Sequence, residues 1–415
     1  MKILISAVGD TDPIRNFHDG PLLHIVRVYR PEKIVLVHSE RSLTKHDKLV
    51  KALKSIKDYS PEIIQDGGVL QDAKVAIFDE MYDTVSSIVK KYISDDEIIL
   101  NISSATPQII SAMFAVNRIS DFNVTAVQVL TPQHKSNEGL RHDNQEDIDT
   151  LIETNLDNQS DYENRTLEDT GSKFSQDLTK RNLKALIDNY DYQGALELLR
   201  ALKLPKKQES FSNIKELRKK LTEISDTIKI QGMPDKIVKA KLSTKAQSAL
   251  NSYLNIDRNH KQGNIAEVLI RVKSLVEFIL EDYLNNHFLD VITYKDGKPF
   301  LNTSKYPEIL KKFQEDAKMR GKKYHSGYLS LPAYIGILKF FEPNHDLLKH
   351  IYKIQEINQV RNQVAHSLQA FDRKNLKKVS SAVFASKQIL LASFDIDNHW
   401  FSFYEDLNQE IKKLL

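Results

Sequence analysis

Roughly the first 130 residues constrain this chain most: short, nearly unbroken apolar runs alternate with helix-length segments. "KILISAV" (2–8), "KIVLVHS" (33–39), "EIILNIS" (97–103) and "VTAVQVL" (124–130) are apolar at almost every position, with a weaker run at "EIIQ" (62–65). A strand that is apolar on both sides is buried on both sides, which points to a parallel sheet covered by helices. Between these runs, "PLLHIVRVYR" (21–30, with Pro21 at the helix start), a segment near 43–57, "DEMYDTVSSIVKKYI" (79–93) and "TPQIISAMFAVNRI" (106–119) read as the covering helices. The expected fold class is an α/β Rossmann-like N-terminal domain with a parallel sheet, and "VTAVQVL" is its expected last strand.

The pattern then changes. Residues 134–175 are polar and acidic and read as a surface loop or linker with a short helix. "RNLKALIDNYDYQGALELLRAL" (181–202) reads as an antiparallel helix pair broken near Asn189–Tyr192, and charged helices continue to about residue 258. "NIAEVLIRVKSLVEFILEDYLNN" (264–286) is apolar over much of its circumference, so it is expected in a core or an interface. After the "YKDGKP" turn (294–299) the chain reads as helical to its end. This divides the chain into a Rossmann-like domain over 1–175, an all-α connector over 176–260 and an all-α domain over 261–415.

Composition removes several function classes. With no cysteine there are no disulfides, thiolate metal sites or cysteine nucleophiles, which fits a reducing cytoplasm. No apolar run reaches membrane-spanning length, and "MKILISAVGD" turns polar too soon for a signal peptide, so we expect a cytoplasmic protein with no membrane partner. A formal charge of +3 neither requires nor forbids nucleic acid.

In an open parallel sheet, ligands bind outside the carboxyl ends of the strands. Here those ends carry "GDTDPIRNFHDG" (9–20) and "SSATPQ" (103–108). The second leads straight into a helix, where Ser103, Ser104 and Thr106 offer hydroxyls and backbone N–H groups to a phosphate; the plainer reading is helix capping. Asp10 and Asp12 repel phosphate and suit ribose hydroxyls or base amino groups, unless they only form an Asx-turn before Pro13. No GxGxxG follows the first strand, which argues against a dinucleotide cofactor. The crevice shows no basic cluster, so ligand affinity is expected to rest on hydrogen bonds more than on charge.

Three Arg–His pairs are spaced five residues apart: Arg41–His46, Arg320–His325 and Arg361–His366. The first follows the second strand and reads as helix surface. The second lies in "RGKKYHSGYL", whose glycines oppose a helix and whose basic and aromatic residues suit RNA contact. The third, "RNQVAH", lies in a helical stretch. There Val360, Val364 and Leu368 form an apolar stripe, and Asn362 and His366 share a face away from it. A solvated helix face explains this trio as simply as catalysis does. The chemistry nevertheless suits RNA, which carries its own 2′-hydroxyl nucleophile: histidine as base, arginine for the phosphorane charge and asparagine to orient. No metal-ligand spacing is visible, and none is needed. Two copies about a two-fold axis would pair such groups in one cleft.

"RNQVAH" resembles the R-N-x-x-x-H signature of the HEPN ribonucleases. "ISAVGDTDPIRNFHDGPLLHIVRVYRPEKIVLV" together with "NISSATPQ" resembles the CARF (CRISPR-associated Rossmann fold) domain. In this order and length the chain resembles the CARF–HEPN accessory ribonucleases of type III-A CRISPR systems. The resemblance implies a homodimer activated by cyclic oligoadenylate, hexaadenylate favoured over tetraadenylate, with no cofactor or metal. It implies cleavage of single-stranded RNA by Arg361, Asn362 and His366, leaving a 2′,3′-cyclic phosphate. Gly9, Asp10, Asp12, Asp79, Ser103, Ser104, Thr106 and Gln108 would line the activator site, and Thr106 is the residue implied in slow cleavage of the activator itself. Relatives often carry Asn at the position of Asp10. Two other readings stay open: a HEPN toxin-type RNase sensing a different nucleotide, and a non-catalytic nucleotide-sensing dimer.

Overall fold

The computed structural model describes residues 1–93, 97–119, 123–132, 146–201, 213–321, 323–366 and 371–415, the side chains of 359 and 363–366 excepted. The chain divides into two compact units, Met1–Asp177 and Leu178–Leu415.

The first unit is built on a six-stranded sheet. Its strands are β1 (Lys2–Ala7), β2 (Lys33–Ser39), β3 (Glu62–Leu70), β4 (Glu97–Asn101), β5 (Val124–Val129) and β6 (Thr166–Glu168). The spatial order is β3-β2-β1-β4-β5-β6, parallel throughout except for the antiparallel edge strand β6. Side chains alternate between two cores. Ile3, Ile5, Val35, Ile98 and Leu100 pack against α3 (Phe78–Tyr92) and α4 (Pro107–Ile119) on one face. Leu4, Ile34, Leu36 and Ile99 pack against α1 (Pro21–Tyr29) and α2 (His46–Lys54) on the other. Burial on both faces is why these strands read as continuous apolar runs.

Two local expectations change. The helix anticipated near 43–57 is two pieces, a single turn at Glu40–Leu43 and α2, broken at Thr44–Lys45. The stretch anticipated as a linker with a short helix carries that helix at Ile148–Glu153 but adds a turn of 3-10 helix at Leu156–Asn158 and β6, so β5 is not the last strand. β6 is three residues in a polar stretch and is held by backbone pairing with β5, a source of order that leaves no hydrophobic period.

The second unit is helical: α5 (Ser172–Asp188, starting just before the division), α6 (Tyr192–Ala201), α7 (Ile214–Lys229), α8 (Thr244–Lys261), α9 (Ile265–His287), α10 (Pro307–Met319), α11 (Leu331–Phe341), α12 (Leu347–His366), α13 (Leu376–Ser393) and α14 (Phe403–Lys412). One core runs from Leu183 to Ile411. α9 lies in it, burying Val268, Leu269, Val272, Leu275, Val276, Ile279, Leu280 and Leu284, as its all-round apolarity implied. The "YKDGKP" turn closes a hairpin, β7 (Ile292–Lys295) with β8 (Lys298–Leu301). Asp296 and Gly297 both take positive φ, the geometry of a two-residue hairpin turn. Among the described residues, no helix is long and apolar enough to cross a membrane.

Candidate functional site

The strand order reverses direction between β1 and β4, the position where open α/β sheets take ligands. A cavity of about 420 Å³ opens there, with Gly9, Asp10, Ser103, Ser104 and Thr106 in its wall. It is built by one close approach. A Cβ on Gly9 would lie 2.2 Å from Ser104 Oγ, so only glycine lets the loop after β1 meet the loop after β4. Ser104 donates to Asp12 Oδ2 at 2.5 Å, and the same oxygen accepts from the Gly9 N–H at 3.0 Å. Asp12 Oδ1 accepts from the Leu22 N–H at 3.0 Å. Burial pushes the Asp12 carboxyl up, against the pull of these donors and of Lys45.

Asp12 is therefore a buried brace rather than part of the cavity wall, with both oxygens already engaged. Ser103 accepts from the Val129 N–H at 2.7 Å, and its own N–H donates to Asn101 at 2.9 Å. Thr106 Oγ1 donates to Val75 O at 3.1 Å and accepts from the Ile109 N–H at 3.4 Å, so it caps α4 while facing the cavity. Gln108 is half-buried in the first turn of α4, and Asp79 is exposed in the first turn of α3; neither forms the cavity wall.

The expectation of a crevice without basic groups is overturned. Arg41, assigned above to helix surface, lines the cavity together with Ser39 and Ser42. Its Nη2 lies 3.3 Å from Asp10 Oδ2. Lys45, at the break before α2, donates to Gly9 O at 3.2 Å and Asp10 O at 2.9 Å. Burial pulls the Lys45 ammonium down, opposed by Asp10 and Asp12. The signal was present: "ERSLTK" starts at the carboxyl end of β2, beside the reversal point. His46 is turned to a different partner, its Nδ1 standing 3.0 Å from Nε2 of the buried His38.

A second polar cluster lies under the segment read as a linker. Asp19, His24 and Asp157 are buried with ligand atoms within 4.8 Å of one another, a trio that could hold a metal ion. Two guanidiniums already neutralise it. Arg27 donates to both Asp19 oxygens at 2.6 and 3.0 Å, and Arg165 donates to Asp157 at 2.8 Å. The Arg165 N–H donates to His24 Nε2 at 3.0 Å, so that nitrogen is an acceptor, while Nδ1 lies 3.2 Å from Arg165 Nη2 and 3.6 and 3.7 Å from the Asp19 and Asp157 carboxylates. A divalent cation would face two fixed positive charges, and the cluster reads as a brace between α1 and residues 155–165. Asp157 is 138 residues from Asp19, which is why no spacing in the sequence revealed it.

In the helical unit, α12 carries Arg361, Asn362 and His366 in its last two turns. Val360 is buried, Arg361 half-buried and Asn362 exposed, and Arg361 Nη1 donates to Asn362 Oδ1 at 3.1 Å. The side chains of Val364 and His366, and all of Leu368, lie outside the described residues. The Arg320–His325 pair lies in an irregular segment and lines a separate cavity of about 460 Å³ with Tyr324, Tyr328, Lys339 and Gln355.

Comparison with known families gives the same order of parts along the chain, the α/β match beginning at residue 62, after β1 and β2. A family model described as the Cas_Csm6 CARF domain matches residues 62–166, one described as the Csm6 6H domain matches 171–221, and one described as the Cas_Csm6 HEPN domain matches 237–412. The chain is 40% identical to a Streptococcus thermophilus protein named CRISPR system endoribonuclease Csm6′, over 99% of this chain and 98% of that one. It is 41% identical to a second S. thermophilus protein, named CRISPR system endoribonuclease Csm6, over the full length of both. A solved structure described as Enterococcus italicus Csm6 bound to cyclic hexa-2′-fluoro-hexa-dAMP superposes with a TM-score of 0.70 at 32% identity, covering both chains completely.

Proposed function

The chain belongs to the Csm6 family of CRISPR-associated CARF–HEPN endoribonucleases, and from that premise we propose an endoribonuclease switched on by a cyclic oligoadenylate, hexaadenylate in preference to tetraadenylate. The observation that carries this is the full-length likeness to a Csm6 bound to a cyclic hexanucleotide. The cavity at the β1/β4 reversal supports it, since serine and threonine hydroxyls and an arginine surround a space of about 420 Å³, with Lys45 bonded to the Gly9 carbonyl of its wall.

The first unit senses the activator, over residues 1–175. Gly9, Asp10, Ser103, Ser104 and Thr106 face it, Asp12 holds their loops together, and Gln108 and Asp79 contact the activator from the first turns of α4 and α3. Residues 176–260 connect to a catalytic part over 261–415, and the enzyme works in the cytoplasm as a homodimer. Leu376 and Phe384 are exposed on α13, the helix packed along α12, which supports a dimer formed there.

The substrate is single-stranded RNA. His366 removes the proton of a 2′-hydroxyl, whose oxygen attacks the adjacent phosphorus. Arg361 stabilises the phosphorane charge, and Asn362 orients the guanidinium it already contacts. The bond from phosphorus to the 5′-oxygen breaks, the leaving oxygen takes the proton that His366 accepted, and a 2′,3′-cyclic phosphate remains. With proton transfer, charge and orientation covered by His366, Arg361 and Asn362, and the nucleophile carried by the RNA itself, the step needs no metal. In the sensing site, Thr106 positions the activator for its own slow cleavage.

The test is cleavage of a fluorogenic single-stranded RNA in EDTA, without activator and then with cyclic tetra- or hexaadenylate, beside His366→Ala. Activation by the hexamer, abolished in the variant, is the expected result. Cleavage without activator would favour a toxin-type RNase, and no cleavage at all would favour a non-catalytic sensor.

A further inference from the structure

The ion pair between Asp10 and Arg41 does little for stability: the two side chains are 63% and 72% exposed, and solvent screens a pair in that setting. It lies nonetheless in the wall of the cavity at the β1/β4 reversal. A carboxylate there is electrostatically unfavourable for a polyanionic ligand, unless it sits on a cation that the ligand also uses. Arginine is the side chain whose planar fork matches a phosphate diester as well as it matches a carboxylate. We propose that Asp10 and a phosphodiester of the activator compete for the same guanidinium, so that Asp10 is a built-in competitor that sets the affinity of the sensing site and Arg41 is its phosphate-binding residue.

Lys45 has a different part. Its Nζ is fixed by the carbonyls of Gly9 and Asp10 at 3.2 and 2.9 Å and lies 3.8 Å from Asp10 Oδ1. It stays with the loop and supplies a constant positive field. Arg41 is mostly exposed and free to change partner at small cost. The inference rests on the reading that this cavity takes a cyclic oligoadenylate, and it adds which side chain meets phosphate and which one opposes it.

The experiment is calorimetric titration of the full-length protein with cyclic hexaadenylate and, separately, cyclic tetraadenylate. The proteins are the wild type, Asp10→Asn, Arg41→Ala and the double variant. Asp10→Asn is expected to tighten binding roughly threefold, the scale of an exposed ion pair. Arg41→Ala is expected to weaken it about tenfold, the scale of a charge-assisted bond to phosphate. The gain from Asp10→Asn should shrink in the Arg41→Ala background to the small part that comes from carboxylate–phosphate repulsion alone, because the shared guanidinium is gone. Weaker or unchanged binding in Asp10→Asn overturns the proposal, the first by placing Asp10 on a ribose or adenine of the ligand. A gain that persists undiminished in the double variant overturns it too, as does an Arg41→Ala variant that binds normally. If the wild type binds neither ring, the reading of the cavity falls and takes this inference with it. If the wild type binds and the variants misbehave, only the inference falls. Both side chains are exposed, so unchanged thermal melting of each variant serves as the folding control.

Discussion

Ser104 donates its hydroxyl to Asp12 at 2.5 Å across 92 residues of sequence, and that bond ties the loop after β1 to the loop after β4. Asp12 and Asp10, two residues apart, thus do opposite things: one is buried and holds the cavity in shape, the other is exposed in its wall.

Replacing Asp12 by alanine leaves the Gly9 and Leu22 N–H groups and the Ser104 hydroxyl without their acceptor. Each orphaned buried donor costs about 1 kcal/mol or more, so a loss of about 3 kcal/mol is expected, with activator binding lost alongside. Urea denaturation and calorimetry check the two effects together. A variant with wild-type stability would show that the brace is not one.

Gly9→Ala places a methyl group 2.2 Å from Ser104 Oγ. That hydroxyl cannot retreat without giving up Asp12, so the two loops must part. About 1–3 kcal/mol of destabilisation follows, with at least about a tenfold rise in the activator concentration needed for half-maximal RNA cleavage. The maximal rate at saturating activator should be spared, which a dose–response curve reads directly.

Acid should loosen the first unit. Burial pushes Asp19 and Asp157 up, but the groups around them win. His24, Arg27 and Asn155 hold Asp19 below its ordinary value, and His24, the Asp19 N–H, His18 and Arg165 hold Asp157 well below its own. A carboxyl group with a lowered folded-state pKa adds stability that is complete above its unfolded value of 3.8 and is lost as pH falls through the folded one. Amide exchange over residues 155–168 in urea should show less protection at about pH 3 than at about pH 5. Asp157→Asn should be weaker at both and flatter between them.

Arg361→Ala and Asn362→Ala should each lower RNA cleavage by about 10²- to 10⁴-fold, the scale of losing a catalytic group or a charge stabiliser. Activator affinity should be unchanged. The RNA fragments from the wild type should end in a 2′,3′-cyclic phosphate, which mass spectrometry identifies. A linear 3′-phosphate as the first product would remove the 2′-hydroxyl from the mechanism.

Thr106→Ala should slow the disappearance of cyclic hexaadenylate, measured by chromatography, and so prolong RNA cleavage after a single dose. The cap on α4 is lost as well, a cost of about 1 kcal/mol that a melting curve separates from the chemistry.

The sequence alone determined the sheet, the covering helices, the buried α9 and the two loops at the carboxyl ends of β1 and β4. Each follows from a local regularity, an apolar period or a turn residue, whose physical cause acts within a few positions of chain. It also carried "RNQVAH" and "NISSATPQ", whose combined order identified the family before any geometry was known. Tertiary structure alone decided what joins residues far apart. The sheet brings Arg41 from the end of β2 to the wall that Asp10 and Thr106 share, and burial turns Asp12 from a candidate ligand into a brace. The polar segment after β5 acquires an edge strand and a buried carboxylate through backbone pairing and ion pairs. Those contacts depend on the three-dimensional path of the chain, and a hydrogen bond spanning 92 or 138 residues leaves no period in the sequence to read.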